Sequence, residues 1–527
     1  MYRTKAACAA AAALVALAVS SCAADPGPPP LVQQEELAEH DAANNPAPER
    51  KERTQIQVGA EPLRDGLNPH LLADDTSTVQ AIADLTLPSA FVGGVRDPNL
   101  LRGATVRATS PGAMTVRYVI APEAQWSDGT PITGADFAYL WRGMSSTPGA
   151  IAPAGYRAIS NVRVSGPAGK TVDVDFSAPV HDWRALFNHL LPAHLLAPDA
   201  SDFATAASDT LPASAGRFMV NSVDRGRGTI VLNRNDRFWG ADPARVDILT
   251  VNAARSTTQI ADRLRAGQLA FVDTVPEETT KDVFDLIPGI DVRSVDGPRT
   301  LGVTLSATSP LLGDRAAREE LRSLIDVPLI ARLAAGRSSE LLVAQHEPPA
   351  LPDPVVLPQR VTESRPLRVA ADAADPAASA AARSLVDLLE QRGVSARVVS
   401  TDTASILSQG LPSGTVDVMV HWDPGAGSAA ELASRVQCPA GEYRAGNLSG
   451  ICYPQLNALS ADILAGRVSG DAARSGVDTA LEAEAVWVPL LHERRVQARG
   501  GGIVAEEPDL AAAAAWQVDE SQEQGEQ

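Results

Sequence analysis

Trp126-Ser127-Asp128-Gly129-Thr130-Pro131-Ile132-Thr133-Gly134-Ala135-Asp136-Phe137, running on to Tyr139-Leu140-Trp141, joins a strand to a helix. Upstream of it Met114, Val116, Tyr118 and Ile120 alternate with less apolar neighbours, the period of two expected of a strand with one buried face. Asp128-Gly129 and Pro131 supply the turn, because glycine accepts positive φ and proline presets the next bend. Thr133 is placed to cap a helix with Asp136 as the returning partner. Phe137, Leu140, Trp141 and Met144 then fall at i, i+3, i+4 and i+7. Residue chemistry alone establishes a packed strand, turn and helix.

The same stretch resembles the "F-S-D-G-x-P-x-T-A-x-D" signature of the family 5 extracytoplasmic solute-binding proteins, the peptide- and nickel-type binders of ABC importers. A second block, Gly216-Arg217-Phe218 and then Thr229 through Arg234-Asn235-Asp236-Arg237-Phe238-Trp239-Gly240, is similar to that family's "G-P-Y … I-x-L-x-R-N-x-x-Y-W-G" at the right distance. Leu191-Pro192-Ala193-His194-Leu195-Leu196 and the run from Asp314 to Ile330 add two more blocks in order. The resemblance spans most of residues 55–516. It implies an α/β fold: a two-lobed periplasmic-binding-protein-like clamshell of class II, cluster C type, with an extra β-rich subdomain. Residues 54–84, 186–297 and 485–516 would form lobe I, 85–185 the subdomain and 298–484 lobe II, hinged near 298 and 485.

With 45 Lys and Arg against 64 Asp and Glu, the net charge is −19, and no long basic run offers a surface for nucleic acid. The first 22 residues read as an export signal: Arg3 and Lys5, an apolar run from Ala6 to Ala18 too short to span a bilayer, and Val19-Ser20-Ser21-Cys22. That ending resembles a bacterial lipobox, which implies lipidation at Cys22 and anchoring to the extracytoplasmic face of the cell membrane. An ordinary secretory signal cleaved nearby is the alternative. Residues 23–53 are rich in Pro, Ala, Glu, Gln and Asn and read as a disordered tether, and 517–527 as a disordered acidic tail. Cys438 and Cys452 then remain in the folded body and suggest one disulfide. Free thiols or a metal pair are the other options, although no His or Cys nearby completes a zinc set.

Leu367–Ala371, Pro376–Gln391, Ala396–Val399, Thr403–Gln409 and Val416–Val420 read as β-α-β-α-β, a parallel right-handed unit. Ligands gather beyond the carboxyl ends of such strands, and the third ends at His421-Trp422-Asp423. Trp422 could stack on a sugar or peptide plane with Asp423 accepting hydrogen bonds, or Trp422 could be core and Asp423 a turn cap. Gly66-Leu67-Asn68-Pro69-His70 resembles the family's entry loop at the cleft edge, and Arg299 lies where the chain crosses between lobes. The region from Cys438 through Asn447 to Cys452, with the wording at Asn68 to Leu72 and Asp136 to Met144, resembles a narrower group, the LpqW-like lipoproteins of mycolate-bearing actinobacteria. The candidate ligand-binding residues are therefore Asn68, Arg299, His421, Trp422, Asp423 and Asn447.

Asp182 to Asn188 reads as a helix ending before Pro192, and Gly166-Pro167-Ala168-Gly169-Lys170-Thr171 as a hairpin turn, its glycine spacing wrong for a phosphate loop. His189 and His194 read as packing residues, and no metal or cofactor is implied. G-x-S-x-G and H-E-x-x-H are absent, so an enzyme is not expected. The narrower resemblance implies a role in phosphatidylinositol mannoside and lipoarabinomannan biosynthesis, with a mannosylated phospholipid as solute and a membrane-bound mannolipid enzyme as partner. The alternatives are oligopeptide capture for an ABC permease, or a non-binding surface scaffold.

Overall fold

The computed structural model describes residues 53–518 apart from 111–112, 198, 346–353, 426 and 507. Cys22, the signal region and the tether up to residue 52 lie outside the described residues, as does the tail from 519 onward.

Strand β1 (Gln55–Ala60) turns Ile56, Val58 and Ala60 inward, and helix α1 (Ser77–Thr86) follows, capped by Thr76, whose hydroxyl accepts from the Val79 N–H at 3.2 Å. Strands β2 (Leu101–Ser110), β3 (Ala113–Ile120), β4 (Ile159–Ser165) and β5 (Thr171–Phe176) make an antiparallel sheet in the order β2-β3-β5-β4. The hairpin expected at Gly166–Thr171 joins the last two. Helix α2 (Gly134–Ser146) leaves β3 through the Asp128-Gly129 turn, with Gly129 at φ +92° and both halves of the Thr133–Asp136 capping box formed.

The main sheet is built from β1 together with β6 (Phe218–Asp224), β7 (Thr229–Arg234), β8 (Ile248–Ala253), β9 (Phe271–Thr274), β10 (Asp291–Leu305), β11 (Leu367–Asp372), β12 (Ala396–Thr401), β13 (Val418–Asp423) and β14 (Trp487–Arg499). Its order is β12-β11-β13-β10-β14-β9-β1-β8-β7-β6. The β-α-β-α-β reading holds: β11 lies parallel to both β12 and β13, and helix α3 (Pro376–Gln391) makes the first crossover. The second crossover is one helical turn at Thr403–Ser405 continued as a π turn, Ile406–Gly410.

The long antiparallel pair β10 and β14 carries the chain from one half of the sheet to the other. Its register breaks between Asp296 and Thr300, so Gly297-Pro298-Arg299 bulges at the crossing. Gly297 is required there, since a Cβ would lie 2.2 Å from a carboxylate oxygen of Glu493. Pro489, which has no N–H for the ladder, sits beside the second register shift, opposite Gly302. On the far side of the crossing, Leu301, Val303, Leu305, Val418, Val420 and Trp422 form one core with α3. On the near side β1, β8, α2 and the four-stranded sheet share a single core around Tyr118, Trp126, Phe137 and Phe187.

Helices α4 (Ala429–Val436), α5 (Pro454–Leu464) and α6 (Gly470–Ala483) complete the second lobe. Cys438 and Cys452, between α4 and α5, form the disulfide. Two expectations need correction. Asp182 to Asn188 is not a helix but a single 3₁₀ turn at Trp183–Ala185, with Phe187 and His189 at φ +61° and +49°. Neighbouring oxygens claim its donors: Tyr156 Oη accepts from Phe187 N–H at 2.8 Å and Ser89 Oγ from His189 N–H at 2.9 Å. Likewise Gln517–Val518, placed in the tail by composition, pairs with Ile503–Val504 because Trp516 is buried edge-on against Phe271, ring centroids 5.3 Å apart.

Candidate functional site

A cavity of about 600 Å³ lies against the β10–β14 crossing. β14 presents Glu493, Arg495 and Gln497 to it at every second residue, the strand period. The loop after Asn68 and the start of α1 supply one wall, with His70, Asp75 and Gln80. Pro424 and Glu431 face them from the second lobe. Backbone and side-chain bonds hold the second lobe against the β-rich part beside this cavity: Gly149 N–H to Arg444 O at 2.8 Å, His181 N–H to Leu464 O at 2.7 Å, and Ala154 N–H to Ser434 Oγ at 3.0 Å.

Arg299 is the hub. It is 4% exposed and donates to Glu493 through Nε at 3.0 Å and Nη2 at 2.5 Å, to Glu61 at 3.0 Å, and to the Asp75 carbonyl at 3.0 Å. Its guanidinium carbon stands 5.4 Å from the centre of the Trp422 ring. Arg495 is paired with Asp273, and Gln497 donates to the same carboxylate at 2.9 Å. Burial alone would raise Glu61, but Arg299 and Arg64 override it and hold the carboxyl at about 2. Burial pushes Asp75 upward against the pull of Arg299. Asp75 Oδ1 accepts from Gln80 Nε2 at 3.0 Å, while its buried Oδ2 has no partner among the described residues. Burial also drives His70 down to about 3, so its ring is neutral, with Nε2 2.9 Å from the His189 carbonyl.

Of the residues singled out from sequence, Arg299 lines this cavity. His421 and Asp423 stand on a smaller cavity of about 40 Å³ next to it, bordered also by Glu431 and Arg435. His421 is buried, its Nε2 2.9 Å from Thr304 Oγ1 and its ring against Trp487. Asp423 accepts from Gly425 N–H at 3.0 Å and lies 3.7 Å from Arg435. Trp422 is 8% exposed and belongs to the second-lobe core, so of the two readings the core one describes its position. Asn68 spends its side chain on the loop, donating to Phe203 O at 2.9 Å and accepting from His70 N–H, and so positions Pro69 and His70 rather than facing the cavity. Asn447 is likewise consumed inside the disulfide loop, donating to Gln437 O and Ile451 O and accepting from Ser449 Oγ and Gly450 N–H. Asp75, Glu61, Glu493 and Arg495 were not picked out. Asp75 merely precedes a helix cap, the strand alternation of Glu493, Arg495 and Gln497 is the one signal that marks Glu493 and Arg495, and no local pattern marks Glu61.

The opening motif turns out to be a clamp. Asp128 Oδ2 lies 2.6 Å from His194 Nε2, Asp136 Oδ1 accepts from Ala193 N–H at 3.0 Å, and Ser127 N–H donates to Ser214 O at 2.7 Å. The segment quoted first is thereby stitched to Leu191–Leu196 and to the residues before Gly216. Residues 98–433 match the bacterial extracellular solute-binding proteins, family 5 Middle. The chain belongs to this family. Among family 5 relatives, the probable monoacyl phosphatidylinositol tetramannoside-binding protein LpqW of Mycobacterium tuberculosis is 32% identical over 466 residues, 76% of this chain and 73% of the relative. The oligopeptide-binding protein OppA of Mycobacterium bovis is 34% identical over 275 residues, 49% of this chain and 45% of OppA. A solved family 5 fold, the oligopeptide-binding protein AppA from Bacillus subtilis in complex with a nonapeptide, superposes with a TM-score of 0.65 at 13% identity, covering 88% of this chain and 99% of AppA. The architecture is thus the α/β, two-lobed fold of periplasmic binding proteins, in an extracytoplasmic family whose named relatives here are binding proteins rather than enzymes. No helix among the described residues is long and apolar enough to cross a membrane.

Proposed function

We propose that the chain is a lipid-anchored extracytoplasmic binding protein that holds the mannosylated headgroup of a phosphatidylinositol glycolipid between its two lobes, in the service of mannolipid assembly. The observation that carries this reading is the reach of the LpqW similarity, which runs over 76% of the chain. The match to OppA covers 49%. The chemistry of the cavity agrees: it is walled by carboxylates, the carboxamides of Gln80, Asn188 and Gln497 and the imidazoles of His70 and His189, which suit a solute dense in hydroxyl donors. Cys22 would carry the lipid and keep the cavity close to the membrane where such headgroups lie, with a membrane-bound mannolipid enzyme as the partner. Lobe motion about the Gly297-Pro298-Arg299 bulge would admit and release the solute.

The OppA match supports a second reading, oligopeptide capture for an ABC permease. Native mass spectrometry of the protein purified from the cells that make it separates the two. A retained mass corresponding to an acylated, mannosylated inositol lipid is expected. A ladder of peptide masses would replace this proposal by the import reading.

A further inference from the structure

The charge of the cavity limits which part of such a ligand can occupy it. Among the described residues that line it, the arginines are Arg299 and Arg495, and both are engaged, Arg299 by Glu493 and Glu61 and Arg495 by Asp273. Asp75, Glu431 and Asp509 line the same cavity with no arginine or lysine in ion-pairing distance among the described residues. A phosphodiester would find no free cation there and would face carboxylates that have no ion-pair partner of their own, only hydrogen bonds and the field of the engaged Arg299. Asp75, 5% exposed with Oδ2 unpartnered, is instead an acceptor waiting for a donor. Resting on the reading above, we propose that only the uncharged glycan enters the cavity, with Asp75 Oδ2 accepting a hydrogen bond from a sugar hydroxyl, while the phosphodiester and acyl chains stay outside.

The direct test is isothermal titration of the full chain with two probes, a free mannose tetrasaccharide and the intact mannosylated phosphatidylinositol in micelles. The free glycan should bind within about tenfold of the glycolipid, and Asp75→Ala should weaken both by at least about tenfold. Asp75→Asn keeps an acceptor for Gln80 and guards against misfolding of the alanine variant. It should be intermediate, with a thermal unfolding midpoint matching the parent. A set of monodeoxy glycans adds a readout that a merely structural role would not move: the parent should reject one of them, and Asp75→Ala should no longer discriminate against it. Glycolipid binding without glycan binding, or affinity unchanged in Asp75→Ala, would overturn the inference and leave the proposed function standing. Binding of neither probe to the parent would remove the proposed function, and the inference with it.

Discussion

Replacing Arg299 by methionine should be among the most damaging single changes in the molecule. The substitution keeps an unbranched chain against the Trp422 ring but strips the counter-charge from Glu493, which is 1% exposed, and from Glu61. Removing one member of a buried ion pair costs about 3–5 kcal/mol, because the remaining charge stays buried. Arg64 still reaches Glu61 at 3.4 Å and Arg495 reaches Glu493 at 3.9 Å, so the lower end, about 3 kcal/mol, is expected. The pH dependence gives an independent figure. The Glu61 carboxyl, held at about 2 against an ordinary 4.5, contributes stability that is fully present above pH 4.5 and is lost as pH falls toward 2. A depression of that size is worth about 3 kcal/mol at neutral pH. The gap between parent and Arg299→Met, read from urea midpoints by tryptophan fluorescence, should therefore be widest near pH 7 and narrow steadily below pH 4.5. Pairing the change with Glu493→Met should recover part of the loss. A gap under about 1 kcal/mol at pH 7, or one that does not change with pH, would refute the reasoning.

Three further outcomes follow from other parts of the fold. Gly216→Ala should cost more than about 2 kcal/mol, since the new Cβ would sit 2.3 Å from the Leu85 carbonyl oxygen, and backbone cannot yield as a side chain can. Its thermal midpoint checks this. Removing the Cys438–Cys452 bond with paired alanines should lower stability by about 3 kcal/mol for a loop of this length, and limited proteolysis should then cut between the two positions. His70, driven by burial to about 3 from 6.5, is neutral in the folded state, so its contribution is full above pH 6.5 and is lost as pH falls toward 3. Relative to His70→Gln, the parent should lose about 1.4 kcal/mol of stability per pH unit across that window in urea titrations.

Local periodicity made most of the architecture readable. The alternation before Trp126, the capping box at Thr133 and Asp136, and the β-α-β-α-β order after residue 366 each report a short-range preference that the fold obeys. The apolar spacing of Asp182 to Asn188 suits a helix, but the Phe187 and His189 N–H groups donate instead to Tyr156 and Ser89, which are distant in sequence. The site was harder for the same reason. Arg299 stood out as a crossing point, but its partners Glu61 and Glu493 are separated from it by 238 and 194 residues, and no local pattern joins them. Trp422 sits at the carboxyl end of a parallel strand, where a ligand is expected. Its ring is nevertheless covered, packed into the core with Leu301 and Val420 and with the Arg299 guanidinium 5.4 Å from its centre. Asn68 and Asn447 looked like recognition groups, yet each is saturated by its own loop.

The claim that the cavity at the β10–β14 crossing is where the solute binds is tested most directly by hydrogen–deuterium exchange of the full chain, with mannosylated phosphatidylinositol in micelles against empty micelles. Protection confined to residues 75–81, 295–299 and 427–431 is the predicted result. Saturable binding that leaves these three segments unchanged, with protection elsewhere on the chain, would contradict it.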